Sequence, residues 1–304
     1  MQNQFQIKFW GVRGSIPCPG NQTVRYGGNT SCVEMQVGGE RLIFDAGTGL
    51  RILGDSLISQ MPVKAHLFFT HSHWDHIQGF PFFTPAFIAG NHFNIYAMPS
   101  PNGATMKQRL HDQMLHPNFP VPLQIMQANL EFYDIEIGEA LHLGEVTVET
   151  ARLNHPGEAV GYRVNWGGHS ACYITDTEHF PDRLDENVLW LSREADILVI
   201  DTTYTDEEYY DEKFSKVGWG HSTWQEAVKI AKAAKVKQLV LFHHDPSHDD
   251  NFLDRLAGEV AIAFPNSILA KEGLSIELGM MNDELGKLKV QEFNSKHSFL
   301  SPFP

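Results

Sequence analysis

The stretch THSHWDHIQGF, residues 70–80, places four potential metal ligands within six positions. They are His71, His73, Asp75 and His76. The preceding residues AHLFFT, 65–70, are rich in Phe and Leu, as expected of a buried strand. Gly79 and Pro81 then interrupt regular structure. The cluster is therefore predicted to lie on a loop that leaves a core strand, where a rigid scaffold displays functional groups. We expect its first two histidines to bind one metal ion and the Asp75–His76 pair a second.

Composition bounds the class of protein. The chain has 304 residues, of which 42% are hydrophobic and 20% charged, so it can bury a sizeable core as one large domain or two modest ones. Its 23 basic and 37 acidic residues give a net charge of −14. Such a balance argues against a broad electrostatic surface for RNA or DNA. The negative net charge is compatible with a small positive site created by bound metal.

The chain carries few signals for export or for membranes. Its first residues, MQNQFQIKFWG, lack the basic start and apolar run of a signal peptide, and no 18-residue apolar stretch predicts a membrane span. Cys18, Cys32 and Cys172 are widely spaced and contain no CxxC pair. We interpret them as free thiols in a reducing compartment, and we therefore expect a cytoplasmic protein.

Strand-like and helix-like segments alternate along both halves of the chain, without a tandem repeat or a dividing linker. This order predicts two sheets packed face to face with helices outside. We expect one domain over residues 1–280. Within it, the segment 81–128, rich in Pro, Phe, Met and His, is predicted to be a cap over a pocket. Residues 281–304 are predicted to be a peripheral tail that packs on a neighbour, which leaves a homodimer open.

Three further ligand-type residues occur where later predicted strands end. His155 precedes the turn Pro156–Gly157, Asp176 ends the run ACYITD, and His243 ends the run LVLF. Each alone is an ordinary turn residue. Following HxHxDH in this order, they predict the remaining ligands of a site for two ions.

This series resembles the metallo-β-lactamase superfamily, and within it the phosphodiesterase branch that includes ribonuclease Z and relatives of cyclic-nucleotide phosphodiesterases. The resemblance extends from FDAGTG (44–49) to LFHHDP (241–246). It implies an α/β fold of the four-layer αββα sandwich type and Asp45 as a structural aspartate below the metal loop. The cap predicted for 81–128 would be an insertion in that fold. The resemblance also implies the ligand assignment: His71, His73 and His155 for the first ion; Asp75, His76 and His243 for the second; Asp176 as the bridge between them.

Imidazole and carboxylate ligands suit Zn²⁺, with Mn²⁺ or Fe²⁺ as alternatives, because selectivity depends on geometry and metal supply. Two divalent ions per chain are therefore expected as cofactors, in a binuclear metallohydrolase. Asp75 is also predicted to be catalytic, since its carboxylate can accept a hydrogen bond from the attacking water.

A histidine outside the ligand series indicates the reaction. GWGHST (218–223) contains His221, and LVIDTTY (198–204) contains Asp201. In ribonuclease Z-like enzymes, a glutamate of a HEAT segment orients the histidine of an HST segment, which protonates the leaving oxygen. The resemblance implies these catalytic roles for Asp201 and His221, with Asp in the place of Glu. A phosphodiester expels an alkoxide that needs such a proton.

The resemblance to ribonuclease Z itself is incomplete. The tRNA-gripping arm of that enzyme lies between the third metal motif and the bridging aspartate, whereas here residues 156–175 leave room for two strands only. We therefore expect a small phosphodiester such as a 3′,5′-cyclic nucleotide, no extended nucleic acid and no membrane partner. Arg13, Asn29 and His116 are predicted to complete the substrate pocket.

Two other functions are considered. One is a thioester or lactone hydrolase of the same superfamily, and the other is a non-enzymatic, metal-dependent binding or sensor module. All of the metal positions are present in the sequence, which counts against the second.

Overall fold

The computed structural model describes residues 4–279 and the backbone of residues 289–292. Its strands are β1 (Phe5–Gly11), β2 (Cys32–Val37), β3 (Glu40–Phe44), β4 (Lys64–Phe68), β5 (His92–Ala97), β6 (Asn129–Asp134), β7 (Leu141–Leu143), β8 (Val146–Leu153), β9 (Ala159–Trp166), β10 (His169–Ile174), β11 (Ile197–Asp201), β12 (Gln238–Phe242), β13 (Ser267–Leu269), β14 (Leu274–Leu278) and β15 (Lys289–Glu292). Its α-helices are α1 (Gly49–Leu57), α2 (Trp74–Ile77), α3 (Met106–Gln113), α4 (Glu186–Ser192), α5 (Asp206–Tyr209), α6 (Trp224–Ala233) and α7 (Asp250–Ala263).

The strands form two mixed sheets. The first has the order β15-β14-β1-β2-β3-β4-β5-β6, and the second has the order β13-β12-β11-β10-β9-β8-β7. Strands β3 to β6 run parallel to one another, as do β10 to β13, while β1, β2 and β3 pair antiparallel. With helices on the outer faces, this is the predicted αββα sandwich, and the fold class is confirmed.

Alternating side chains divide the apolar residues into three layers, because successive residues of a strand point to opposite faces. Phe68 of β4 belongs to the cluster between the sheets, where Phe44 stacks on it at 5.3 Å and contacts Tyr162 of the second sheet at 5.4 Å. Its neighbour Leu67 instead belongs to an outer cluster with Leu53 of α1. A second outer cluster packs α4, α6 and α7 against the other sheet.

The prediction that residues 81–128 form a cap is wrong for residues 92–97 and for the helix that follows them. Residues 92–97 form β5, which pairs with β4 on one side and β6 on the other inside the first sheet. Phe93 and Ile95 are buried in the outer cluster, and Leu110 of α3 packs in the same cluster. The prolines and aromatic residues around β5 concealed a six-residue strand. The segment therefore contributes to the core, and its deletion would remove a strand that is paired on both sides.

The predicted tail, 281–304, lies largely outside the described residues. Its residues 289–292 form β15, which pairs antiparallel with β14 and extends the first sheet by one edge strand. The division into a domain of residues 1–280 and a tail stays a prediction, as does the homodimer.

No helix in residues 4–279 has the length and apolar character needed to cross a lipid bilayer. The three cysteines are free thiols, as the sequence predicted.

Candidate metal centre

The predicted ligands meet at one edge of the sandwich because they follow strands whose carboxyl ends converge there. His71 comes after β4, His155 after β8, Asp176 after β10 and His243 after β12. Asp176 and His243 have positive φ values of 53° and 64°, and Asp45, at the end of β3, has 60°. Such backbone is uncommon for residues other than glycine and is concentrated at functional sites.

The first ligand set contains three imidazoles. His71 Nε2 lies 2.9 Å from His73 Nδ1, and His155 Nε2 lies 3.1 Å from the same His73 nitrogen. These atoms and a carboxylate oxygen of Asp176 all lie within 4.8 Å of one another. His73 is exposed, whereas the other members of the set are buried.

Two of the three remaining ring nitrogens of this set are already held by the protein. His71 Nδ1 lies 3.0 Å from the Thr70 hydroxyl, and His155 Nδ1 lies 2.8 Å from the Gly220 carbonyl oxygen. A carbonyl can only accept, so His155 donates from Nδ1 and turns its Nε2 lone pair toward His73. Nitrogen lone pairs that converge at about 3 Å repel unless a proton or a cation lies between them. The first set therefore fits a metal ion.

The second ligand set is fully buried and rich in carboxylates. His76 Nε2 and His243 Nε2 each lie 3.3 Å from Asp75 Oδ2 and 3.2 Å from Asp176 Oδ1. His76 donates from Nδ1 to Asp45 at 2.8 Å, and its buried Nε2 has no hydrogen-bond partner among the described residues. An orphaned buried nitrogen aimed at two carboxylates fits a second metal ion.

Asp176 joins the two sets. Its Oδ1 faces His76 and His243, while its Oδ2 lies 3.6 Å from His71 Nε2 and 3.8 Å from His155 Nε2. This division of the two oxygens is what a bridging carboxylate requires. Thr175 donates a further hydrogen bond to Oδ1 at 2.6 Å, which helps to fix the rotamer.

The two sets differ electrostatically. Burial lowers the pKa of His71 well below its ordinary value, so the neutral form that binds metal is favoured there. Burial would do the same to His76, but the carboxylates of Asp176, Asp75 and Asp45 raise its pKa well above the ordinary value. The second set thus calls for positive charge at its centre, which a divalent ion supplies in place of a proton.

The predicted Asp201–His221 pair is present beside these ligands. Asp201 Oδ2 lies 2.8 Å from His221 Nδ1, and Asp201 Oδ1 accepts hydrogen bonds from the Thr203 amide and hydroxyl. The His221 ring stacks on His243 at 4.9 Å. Burial lowers the pKa of His221, but Asp201 and more distant carboxylates raise it to about 9.

Asp176, Asp201, His221 and His243 also lie close enough together to be considered as a third ligand group. Both oxygens of Asp201 are already engaged by protein donors, since the Thr177 amide reaches Oδ2 at 3.3 Å. We therefore interpret Asp201 as the partner of His221 and not as a ligand.

The structure contradicts Arg13 as a substrate-binding residue. The Arg13 side chain is fully buried, and its guanidinium donates to the carbonyl oxygens of Gly27, Asp245 and His248. It therefore holds loops together and does not face a substrate.

The half-buried Asn29 side chain donates to Glu272 at 3.0 Å, and its role in binding substrate stays a prediction. His116 lies in the exposed loop after α3. The structure does not place it among the ligands, and its role stays a prediction.

Sequence reasoning missed Glu178, a buried residue two positions after the bridging aspartate. Its carboxylate accepts hydrogen bonds from the Gly218 amide at 2.6 Å, from the Gly220 amide at 2.9 Å and from the Tyr209 hydroxyl. Gly220 also supplies, from its following peptide group, the carbonyl that holds His155. Glu178 therefore anchors the loop that leads into His221. An isolated glutamate after DT gives no sequence signal for such a contact.

Comparison with known proteins agrees with this architecture. A family model described as "Beta-lactamase superfamily domain" matches residues 40–244, more than half of the chain. Ribonuclease Z of Enterococcus faecalis is 27% identical over 91% of this chain and 99% of its own length. Ribonuclease Z of Pyrococcus horikoshii is 25% identical over 93% and 99%.

Solved structures share the fold at low identity. The metallo-beta-lactamase fold protein YhfI from Bacillus subtilis has a TM-score of 0.66 at 18% identity, covering 90% of this chain and 99% of that one. The short form of human tRNase Z has a TM-score of 0.59 at 21% identity, covering 90% and 100%. Yeast PDE1 has a TM-score of 0.56 at 13% identity, covering 90% and 99%.

Proposed function

We propose that this chain, which belongs to the beta-lactamase superfamily, is a two-metal phosphodiesterase that cleaves a small phosphodiester such as a 3′,5′-cyclic nucleotide. The sequence predicted a hydrolase of this superfamily, and the comparisons confirm that prediction. The observation that carries the finer proposal is the Asp201–His221 pair, joined at 2.8 Å beside the two ligand sets. Cleavage of a phosphodiester needs a proton at the leaving alkoxide, and an oriented imidazole supplies one.

The first ion would be held by His71, His73 and His155, and the second by Asp75, His76 and His243, with Asp176 shared between them. We propose Zn²⁺ for both positions, with Mn²⁺ or Fe²⁺ as alternatives, because the donors are imidazoles and carboxylates. Bound there, the ions would supply Lewis-acid polarisation of the phosphoryl group and activation of water.

The protein's own groups would handle orientation and proton transfer. Asp201 accepts the Nδ1 hydrogen of His221, so Nε2 is the nitrogen that gives a proton to the leaving oxygen. Thr203 fixes Asp201, and the Ser15 amide donates to Asp75 Oδ2 at 2.7 Å, which fixes that carboxylate. Asp75 would accept a hydrogen bond from the attacking water and thereby direct it.

Two features favour a small substrate. Strands β9 and β10 pair as a tight hairpin across residues 159–174, which fills the interval where ribonuclease Z carries its arm. The net charge of −14 opposes a long polyanion. The similarity to enzymes named ribonuclease Z favours RNA cleavage as the second candidate.

A substrate panel separates these functions. The full-length protein, loaded with Zn²⁺ or with Mn²⁺, is assayed on bis-p-nitrophenyl phosphate, cyclic AMP, a 3′-extended precursor tRNA, a thioester and a lactone. We expect turnover of the first two and none after chelation. Preferential cleavage of the precursor tRNA would support the second candidate, and turnover of the thioester or lactone alone would refute phosphodiester chemistry.

A further inference from the structure

A narrow cleft lies beside the first ligand set. It is formed by the loop after β4, the loop after β5, helix α3 and the turn at residues 157–158. His71 and Ser72 line it together with Arg109 of α3. A metal ligand and a guanidinium therefore share one cleft, and none of the mechanistic roles assigned above uses Arg109.

Arg109 is a half-buried cation, and no carboxylate among residues 4–279 pairs with it. Its Nη2 donates to Asn102 Oδ1 at 3.3 Å, while its Nε is buried and has no hydrogen-bond partner in the described part of the chain. The other charged group of the cleft is Glu158, and Arg152 forms an ion pair with it. Burial of a charge is costly unless the charge is paired, so a half-buried guanidinium at the side of a binding site favours an anion as its partner.

We propose that the mouth of this cleft is an anion subsite, in which the half-buried Arg109 binds a second phosphate of the substrate, a terminal monoester that is not cleaved. The inference rests on the proposed phosphodiesterase function, because it takes the reacting phosphoryl group to lie at the two ligand sets. A guanidinium matches phosphate oxygens in shape and charge, and its contact with Asn102 limits its rotamers. Because the protein has a net charge of −14, it repels a dianionic phosphate in general, and a nearby guanidinium would offset that repulsion.

The test uses two chromogenic diesters that differ by one phosphate: thymidine 5′-(p-nitrophenyl phosphate) and its 3′-phosphorylated form. We expect the metal-loaded protein to prefer the 3′-phosphorylated diester, mainly through a lower KM. Arg109→Ala should reduce that preference by about 10- to 100-fold, the usual worth of a charge-assisted hydrogen bond. A preference that survives in Arg109→Ala, or an equal loss on both diesters, would overturn the subsite.

Lys107→Ala is the matched control. Lys107 lies on the same helix and is exposed, with its ammonium 5.8 Å from the Phe132 ring. Its replacement removes the same charge outside the cleft, so it should leave the preference unchanged. If Lys107→Ala reduced the preference as much as Arg109→Ala, the effect would be one of net charge and the subsite would be refuted.

A third diester, in which the 3′-phosphate is esterified to another thymidine, distinguishes a terminal phosphate from the next phosphate of a nucleic acid. The terminal phosphate should be preferred, because the monoester carries more charge than the diester. Equal preference would overturn the assignment to a monoester and support a continuing strand.

Equilibrium dialysis against inorganic phosphate separates this proposal from the proposed function. The metal-loaded protein should bind about two phosphate ions per chain, and Arg109→Ala about one, since a guanidinium site for phosphate is lost. That outcome would support the subsite even if no diester were hydrolysed. The same phosphate stoichiometry in both proteins would refute it.

Discussion

The two ligand sets of the candidate metal centre are built differently. The first consists of three imidazoles with His73 exposed, whereas every member of the second is buried. The second also contains Asp75, and the carboxylate of Asp45 supports it directly. We infer that the second set is the more rigid and holds its ion more tightly, and that the first set faces the opening through which substrate enters.

The groups that hydrogen-bond to the ligand histidines also differ between the two sets. His76 and His243 are held by Asp45 and Thr203, which lie at or just beyond the ends of central strands. His155 of the first set is instead held by the carbonyl of Gly220, in the loop between α5 and α6. Loops are more mobile than the elements they connect. The first set therefore depends on a support that needs its own anchor.

The largest effect is expected from Asp176→Ala, because this carboxylate serves both sets. The variant should fall from about two bound ions per chain to fewer than one, with activity lost, since metal affinity depends on the full donor set. Metal analysis after gel filtration gives the stoichiometry. If the variant retained both ions, Asp176 would not be the bridge and the two sets would be independent.

The next largest effect is expected from His221→Ala, which should change the rate of the reaction and not metal binding. His221→Ala should keep both ions while kcat falls by about 10²–10⁴, the usual contribution of a positioned proton donor. The loss should be largest for alkoxide leaving groups and small for nitrophenolate, which departs without a proton. Asp201→Asn should lose less, because the imidazole remains.

Loss of an ion in His221→Ala would instead show that His221 is a ligand of the third group described above. A loss of kcat that is equal for all leaving groups would mean that its role is structural.

The contrast between the two sets also shows what the sequence could predict. The HxHxDH motif, His155, Asp176 and His243 each come after a strand, so a linear pattern was enough to assign both sets. The contacts of the side chains around them were not visible in that pattern. Arg13 in a glycine-rich turn resembles a phosphate ligand in sequence, yet it folds inward onto three carbonyls.

The predicted cap failed for a related reason. Strand β5 is six residues long, HFNIYA, and five of these residues are buried, so it lacks the period-two alternation that marks a half-exposed strand. A strand whose neighbours are β4 and β6 is fixed by sheet pairing and burial, which are properties of the assembled fold. The resemblance to a family described the overall sandwich but not the role of this segment.

Asp45→Asn should have an intermediate effect and should separate the two sets. Asp45 accepts directly from His76, but it reaches His71 only through the Thr70 hydroxyl. We expect metal affinity to fall by about 10–100-fold at the second set, as is usual for such supporting partners, and less at the first. Asparagine tolerates the positive φ of this position, so the backbone should persist.

Thr70→Val is the matched control, since it removes the hydroxyl beside His71 and leaves the bond between Asp45 and His76. It should weaken the first set alone. Competition with a chromophoric chelator measures the two affinities. A uniform loss in both variants would argue that Asp45 stabilises the fold in general.

The smallest effect is expected from Glu178→Gln, which tests whether the first set depends on its loop. The carboxylate accepts from three donors, so the amide NH₂ of glutamine must face at least one N–H or O–H and lose that bond. The loop at residues 218–220 should then shift, and the Gly220 carbonyl should hold His155 less firmly. We expect an affinity loss of about 10-fold for the first ion, none for the second, and a lower kcat confined to alkoxide leaving groups, because His221 follows Gly220.

Tyr209→Phe removes one donor, retains both glycine contacts and should have little effect on either affinity. Chelator competition resolves the two ions, and equal loss of both in Glu178→Gln, or none of either, would mean that the first set does not rely on this loop.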